Sequence, residues 1–297
     1  MSRTVSPSTN QPYGVARVTA AWDLARSSFY SARHRQQHPQ EPQKRGPKVL
    51  SDEELVAEIR ALLAQPVFMG EGYRKIWARL RFKGVRTSKD RVLRLLRENQ
   101  LLSPSRHPQP TPGNPHEGTI VTTAPDQMWG TDATATFTEA EGSVTVFAAV
   151  DHCTAECVGI HAVKKATRFE ALEPIRQGIK EHFGAFSAAA ADGLKLRHDH
   201  GSVYMSDDFQ NEIRFLGIEP SSAFVRQPEG NGCIERFFRT LKEQVLWVRR
   251  FHDLEEMRVA LIEFRDRYNH NWILERLNYR TPVQARHDFQ LELEAAA

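Results

Sequence analysis

Between residues 127 and 163 three β-rich runs succeed one another, QMWGTDATATFT, SVTVFAAVD and ECVGIHAVK, with only short polar turns between them. Runs of this length and spacing pair as an antiparallel meander. Beyond Val163 helical and strand patterns alternate. TRFEALEPIRQGIKEHF has a helical pattern capped by Thr167 and weakened or bent at Pro174, GLKLRHD is a strand, and SDDFQNEIRFLG is a helix. IEPSSAFV is then a strand, and a long helix runs from about Cys233 to Val248. A last helix spans Leu254 to Tyr268 and ends at NHN, and NYRTPVQAR makes a tail. Three strands, then helix, strand, helix, strand, helix, build a mixed five-stranded sheet covered by helices.

The residues before this region are of another kind. YGVARVTAAWDLARSSFYSAR spaces Val15, Val18, Ala21 and Trp22 helically, breaks, and resumes as a short helix around Ser27 to Tyr30, which suits a helix-turn-helix. Residues 34–50 are rich in Gln, Pro and basic side chains and read as a linker. A second helical unit opens at Ser51, where Glu54 completes a capping box and Leu55, Ile59, Leu62 and Leu63 share a face. Gly84 closes one helix and Ser88 caps the next. There Val92, Leu95 and Leu96 face inward while Lys89, Arg91, Arg94 and Arg97 form a basic side. Together with Arg74 and Lys75 this side suits phosphate contact, or is simply a solvated helix face. SPSRHPQPTPGNPHEG carries five prolines without periodicity and marks the clearest domain boundary.

Charge follows the same division. Residues 1–110 hold 20 Lys and Arg against 9 Asp and Glu, a balance of +11, whereas residues 111–297 hold 20 against 28, a balance of −8. A basic first third on an acidic remainder is what a nucleic-acid-binding module joined to a metal-using core shows, although charge alone equally fits a solvated basic surface. No stretch approaches the roughly 18 apolar residues of a membrane span, and the N-terminus lacks an apolar signal core, so a cytoplasmic location is expected. Three cysteines, Cys153, Cys157 and Cys233, argue against a disulfide framework. His152, Cys153, Cys157 and His161 have the residue types of a zinc set, but their β-rich flanks favour a hairpin.

Three acids stand out in this layout. Asp132 lies near the middle of the first strand, Asp199 ends the fourth, and Glu235 occupies the first turn of the long helix, with 35 residues between it and Asp199. Carboxylates converging on one spot repel unless cations sit between them, so such a cluster implies hard divalent metal. Two Mg²⁺ ions in one site can activate an attacking oxygen and neutralise a leaving one, which suits phosphodiester chemistry; Mn²⁺ is a possible substitute. Each acid also has a local reading: a strand-edge acid, a turn former before Gly201, and a helix N-terminal acid paired with Arg239. Gly230, Asn231 and Gly232 read as a flexible flap, and Lys242 lies two turns after Glu235 on the same face. His198 and His200 are flanking polar residues.

The element order is that of a ribonuclease-H-like core. WGTDAT, HDHGSVYMS, NGCIERFFRTLKEQ and YNHNWILERLNYRTP resemble the integrase core of DDE transposases, specifically the second-frame product (OrfB) of an IS-three-type insertion sequence. GEGYRKIWARLRFKGVRTSKDRVLRLLRENQLL resembles the helix-turn-helix region that precedes that core, and DLARSSFYSAR its N-terminal segment. The resemblance implies that Asp132, Asp199 and Glu235 bind metal and that Lys242 attends the transposon end; Arg239, Arg74, Lys75, Arg91 and Arg94 are the further candidate DNA contacts. It further implies metal-dependent strand cleavage and joining at insertion-sequence ends, a first-frame (OrfA) partner, a homo-oligomer on DNA with target DNA as second substrate, and a bacterial, nucleoid-associated location. Many members carry an Arg and a His after YNHN where this chain has Trp272 and Leu274. The alternatives are a DNA-binding regulator derived from a transposase and a general ribonuclease-H-type nuclease. The expected domains are an N-terminal helical segment (1–33), a linker (34–50), a helix-turn-helix domain (51–102), a Pro-rich linker (103–122), a catalytic core (123–250) and a C-terminal helix and tail (251–297).

Overall fold

The computed structural model describes residues 3–37, 50–104, 121–222 and 231–296. Most of both expected linkers therefore lies outside the described residues. The chain falls into two compact units, 1–49 and 50–297. The first holds helices α1 (Gly14–Ala21) and α2 (Arg26–Gln37), so the second helix runs well past Tyr30.

In the second unit, α3 (Asp52–Ala64), α4 (Tyr73–Phe82) and α5 (Lys89–Glu98) form a three-helix cluster. Local chemistry sets the ends of these helices. Ser51 and Glu54 make the reciprocal capping box, Gly84 takes a φ of +83° after α4, and the Ser88 hydroxyl accepts the Arg91 N–H. Leu55, Ile59, Ile76, Leu80, Val92, Leu95 and Leu96 fill the interior.

The sheet contains β1 (Met128–Thr138), β2 (Gly142–Asp151), β3 (Cys157–Val163), β4 (Lys195–His198) and β5 (Glu219–Ser222), in the order β3-β2-β1-β4-β5. β1–β2 and β2–β3 are antiparallel, while β1–β4 and β4–β5 are parallel. Short turns allow the antiparallel pairs; the parallel pairs need crossovers, supplied by α6 (Arg168–His182) and α7 (Asp207–Phe215). Side chains alternate along β2. Phe147 and Ala149 join Trp129, Ile175, Ile179 and Phe209 beneath α6 and α7. Val146, Ala148 and Val150 pack on the other face against α8 (Gly232–Leu241) and α9 (Leu254–Asn271) through Ile234, Phe237, Leu241 and Phe264. Sheet order, strand directions and two-sided helical cover make the core ribonuclease-H-like, as the element order implies.

Pro174 lies inside α6 and is buried where the helix meets Gly159 of β3, so closely that a Cβ at Gly159 would lie 2.0 Å from the Pro174 carbonyl oxygen. Two local expectations change. The long helix after Asn231 is α-helical only to Leu241 and continues as a π-helical turn, Lys242–Leu246. The C-terminal stretch is no tail. Thr281 and Gln284 cap one another at the start of α10 (Pro282–Ala296), and Arg286 on that helix is clamped by Asp126, at 2.5 Å, and Glu156.

Candidate active site

Strand register brings the first two acids together. The parallel pairing of β1 with β4 ends at Gly130 opposite Arg197; Asp132 lies two residues further along β1, and Asp199 two residues further along the chain, just past the end of β4. Asp132 points to the α8 side, because it lies opposite Ala148, part of that side's core. Asp199 follows the last residue of β4, and its Oδ1 accepts the Gly201 N–H at 2.8 Å. A Cβ on Gly201 would stand 2.9 Å from the same oxygen, the end of a side chain that would have to turn aside. Glu235 is carried on the first turn of α8, whose buried Ile234, Phe237, Phe238 and Leu241 lock the helix against the sheet.

Electrostatics tie the group together. The Asp132 carboxyl is pushed up to about 6, first by burial and then by repulsion from Asp199 and Glu235, against which the Ala133 N–H and the Lys242 ammonium work. Burial also raises the Glu235 carboxyl, with Arg236 opposing it. Among the described residues one set of three has its ligand atoms within 4.8 Å of one another: Glu156, Glu181 and His182. There Glu156 is paired with Arg286 and Glu181 with Arg265, so those acids are internal ties. Asp132, Asp199 and Glu235 do not form a set that tight.

One residue at the site carried no sign of its role in the sequence pattern. Asn231 is only 6% exposed, and its Nδ2 donates to the Thr131 carbonyl at 3.4 Å. It is an anchor between α8 and β1, which corrects its reading as part of a flap; Gly230 lies outside the described residues. The space for it exists because residue 130 is glycine: a Cβ there would come within 3.1 Å of Asn231 Oδ1 and 2.8 Å of His152 Nε2. Turn-forming composition hid a buried hydrogen bond that only the fold creates.

The basic residues are variously engaged. Lys242 closes α8 near Asp132, and Arg239 pairs with Glu243 at 3.1 Å rather than with Glu235. Arg91 and Arg94 both grip Asp52 at 2.6 Å, stitching α5 to the start of α3. Arg74 pairs with Glu275 at 2.8 Å. The Lys75 ammonium lies 2.9 Å from the centre of the Trp272 ring. His198 is buried, with its ring stacked on Tyr204 and Nδ1 donating to the Asp199 carbonyl, while His200 is exposed. The zinc alternative does not assemble. The Cys157 thiol is buried and pushed up to about 12, and His161 turns to Glu170 at 2.6 Å.

Parts of the chain are similar to known proteins. Residues 216–282 match the family described as integrase core domain, and residues 51–109 match an HTH-like domain. The chain is 26% identical over 217 residues to the transposase InsD for insertion element IS2A/D/F/H/I/K of Escherichia coli, covering 71% of each chain. The transposase InsD for insertion element IS2D of Escherichia coli strain K12 gives the same identity and coverage. Among solved structures, the chain is similar to one in a simian T-cell lymphotropic virus intasome in complex with the PP2A regulatory subunit B56 gamma. That likeness has a TM-score of 0.47 and 20% identity, covering 77% of this chain and 74% of that one. The HTLV-2 integrase catalytic core domain in complex with magnesium matches with a TM-score of 0.42 and 19% identity, over 56% and 99% of the two chains.

Proposed function

We propose that this chain is a DDE-type transposase that cleaves DNA at insertion-sequence ends and joins the freed 3′ hydroxyl to target DNA, and that Asp132, Asp199 and Glu235 are its metal-binding triad. The observation that carries the reading is the electrostatic coupling of the three acids, together with Lys242, at the carboxyl end of β4 in a ribonuclease-H-like sheet. Open α/β sheets bind ligands at the carboxyl ends of their strands.

The donor set fits a hard divalent cation. All three side chains offer carboxylate oxygens, and the Asp132 carboxyl, pushed up to about 6 first by burial, also feels repulsion from Asp199 and Glu235. Asp132, Asp199 and Glu235 would hold Mg²⁺, as two ions with Mn²⁺ as substitute, which when bound would supply charge neutralisation for phosphodiester cleavage. The protein's part is positioning. Asp132 is set by strand pairing, Asp199 by its bond to Gly201, and Glu235 by the packing of α8. Lys242 offers a phosphate a cation beside the acids, and Arg239, Arg74, Lys75, Arg91 and Arg94 are proposed as further backbone contacts.

In finer detail, the chain acts as the second-frame product of an IS-three-type element, working with a first-frame (OrfA) protein and as a homo-oligomer on DNA, since two ends must be joined. No described helix is long and apolar enough to cross a membrane. The test uses labelled duplex bearing the element's ends, with and without the first-frame protein, in Mg²⁺ and in EDTA. Metal-dependent nicking at the ends that Asp132→Asn lacks is expected. Binding without cleavage in every condition would instead favour a regulator derived from a transposase.

A further inference from the structure

The three-helix cluster does not sit apart from the core. Phe68, at 1% exposure, is part of the apolar cluster shared with α8 and α9, and the Met69 backbone exchanges two hydrogen bonds of 2.9 Å with the Gln244 side chain. Between the start of α4, α8 and the segment after α9, this docking leaves an open groove of about 620 Å³. Its walls carry four cations, Arg74, Lys75, Arg236 and Arg239, against one carboxylate, Glu275. Arg239, one turn after Glu235 on α8 and so on the same side of that helix, lines the groove, which therefore runs beside the candidate triad.

Glu275 is held in an unusual way. It accepts hydrogen bonds from Arg74 Nη1 at 2.8 Å, Lys89 Nζ at 3.1 Å and Tyr279 OH at 2.9 Å. These donors hold its carboxyl below the usual range, Tyr279 and Lys89 first. Two donated cationic hydrogen bonds and a hydroxyl are the coordination a backbone phosphate receives from protein. The turn that presents them is strained: Asn278 and Tyr279 are consecutive non-glycine residues with φ of +55° and +63°. The side chains of Arg74, Lys89 and Glu275 are 57%, 37% and 44% exposed. Pairs this open to solvent are weak and exchange partners readily.

We propose that this groove seats the sugar-phosphate backbone of the DNA strand leading into the triad, and that Glu275 occupies the place of a backbone phosphate between Arg74 and Lys89 until DNA displaces it. Lys89 and Arg236 thereby become DNA contacts, and Glu275 tunes how strongly the chain holds DNA. The inference rests on the transposase reading, because it takes the strand beside Glu235 to be the substrate.

The test measures binding of the full chain in EDTA, by fluorescence anisotropy across a salt series, to a duplex bearing an element end and to an unrelated duplex of equal length. Glu275→Gln should bind both roughly three- to tenfold more tightly, since phosphate contacts carry no sequence information. Arg236→Ala, on the opposite wall and away from the Glu275 contacts, should bind both more weakly, with the slope of log K against log salt reduced by about 0.9. Glu275→Gln that binds no more tightly than wild type, or Arg236→Ala with an unchanged slope, overturns the groove and leaves the transposase reading standing on metal-dependent cleavage. Wild type that binds neither duplex at low salt overturns both.

Discussion

Asn231 Nδ2 donates to the carbonyl oxygen of Thr131 at 3.4 Å, which ties the first turn of α8 to the strand residue next to Asp132. The separation of Glu235 from Asp132 is therefore set by this buried amide together with the apolar packing of α8. Asn231→Ala should lower end cleavage by roughly tenfold to a hundredfold, the penalty for misplacing a catalytic group by about 1 Å, while DNA binding stays within about twofold. Asn231→Asp, which keeps the size but loses the donor, should behave like the alanine variant. Cleavage time courses beside binding isotherms check this, and an aspartate variant with full activity would refute the anchor.

Asp132→Asn, Asp199→Asn and Glu235→Gln should each reduce metal-dependent cleavage by at least about a thousandfold, because a metal site missing one carboxylate loses transition-state charge stabilisation. Each should bind DNA as well as wild type or better, having shed a negative charge. Single-turnover cleavage and anisotropy on the same preparations separate the two effects.

The Asp132 carboxyl titrates at about 6 in the folded protein against 3.8 when free. As pH rises the unfolded chain loses this proton first, so the group destabilises the fold progressively between those values, fully above about 6 and not at all below 3.8. Without metal, Asp132→Asn should therefore be more stable than wild type at about pH 8 by on the order of 2 kcal/mol and nearly equal to it at about pH 4. Mg²⁺ should raise the wild-type Tm at the higher pH more than the mutant's. Thermal melts at both pH values, with and without the ion, test both statements.

Trp272 closes α9, and the structure gives it a mechanical role. Its ring stacks on Tyr268 with centroids 5.9 Å apart, meets Phe68 edge-on at 4.8 Å, and lies under the Lys75 ammonium. Trp272→Ala should cost about 3 kcal/mol or more and loosen the three-helix cluster from the core. Hydrogen exchange should then show α3 to α5 losing protection ahead of the sheet; uniform loss would argue that they unfold together.

At Gly159, an alanine Cβ would lie 2.0 Å from the Pro174 carbonyl oxygen. Backbone cannot yield cheaply, so Gly159→Ala should cost at least about 3 kcal/mol and recover little soluble protein. Its soluble yield and Tm are the check.

Much of this protein is written in short-range pattern. β-rich runs, the capping box at Ser51, the caps at Ser88 and Thr167 and the glycine at 84 act within a few residues, so element order and most boundaries follow from sequence. The positions of Asp132 in mid-strand, Asp199 just past β4 and Glu235 on a first turn were legible for the same reason. Other features depend on what arrives from far along the chain. Arg91 and Arg94 look like a free basic face until Asp52 meets them, and Asn231 looks like a turn until Thr131 lies beneath it. NYRTPVQAR has too little apolar periodicity to announce α10, whose place is held by ion pairs from Arg286 to Asp126 and Glu156.

Hydrophobic period and capping are local, and they suffice to specify which segments are strands and helices and which of them carry the three acids. How the acids meet, which cations are consumed by internal carboxylates, and the seating of the three-helix cluster on the core by Phe68 and Trp272 come from the folded chain alone. Those outcomes rest on contacts between residues far apart in the chain, whose partners no local pattern encodes.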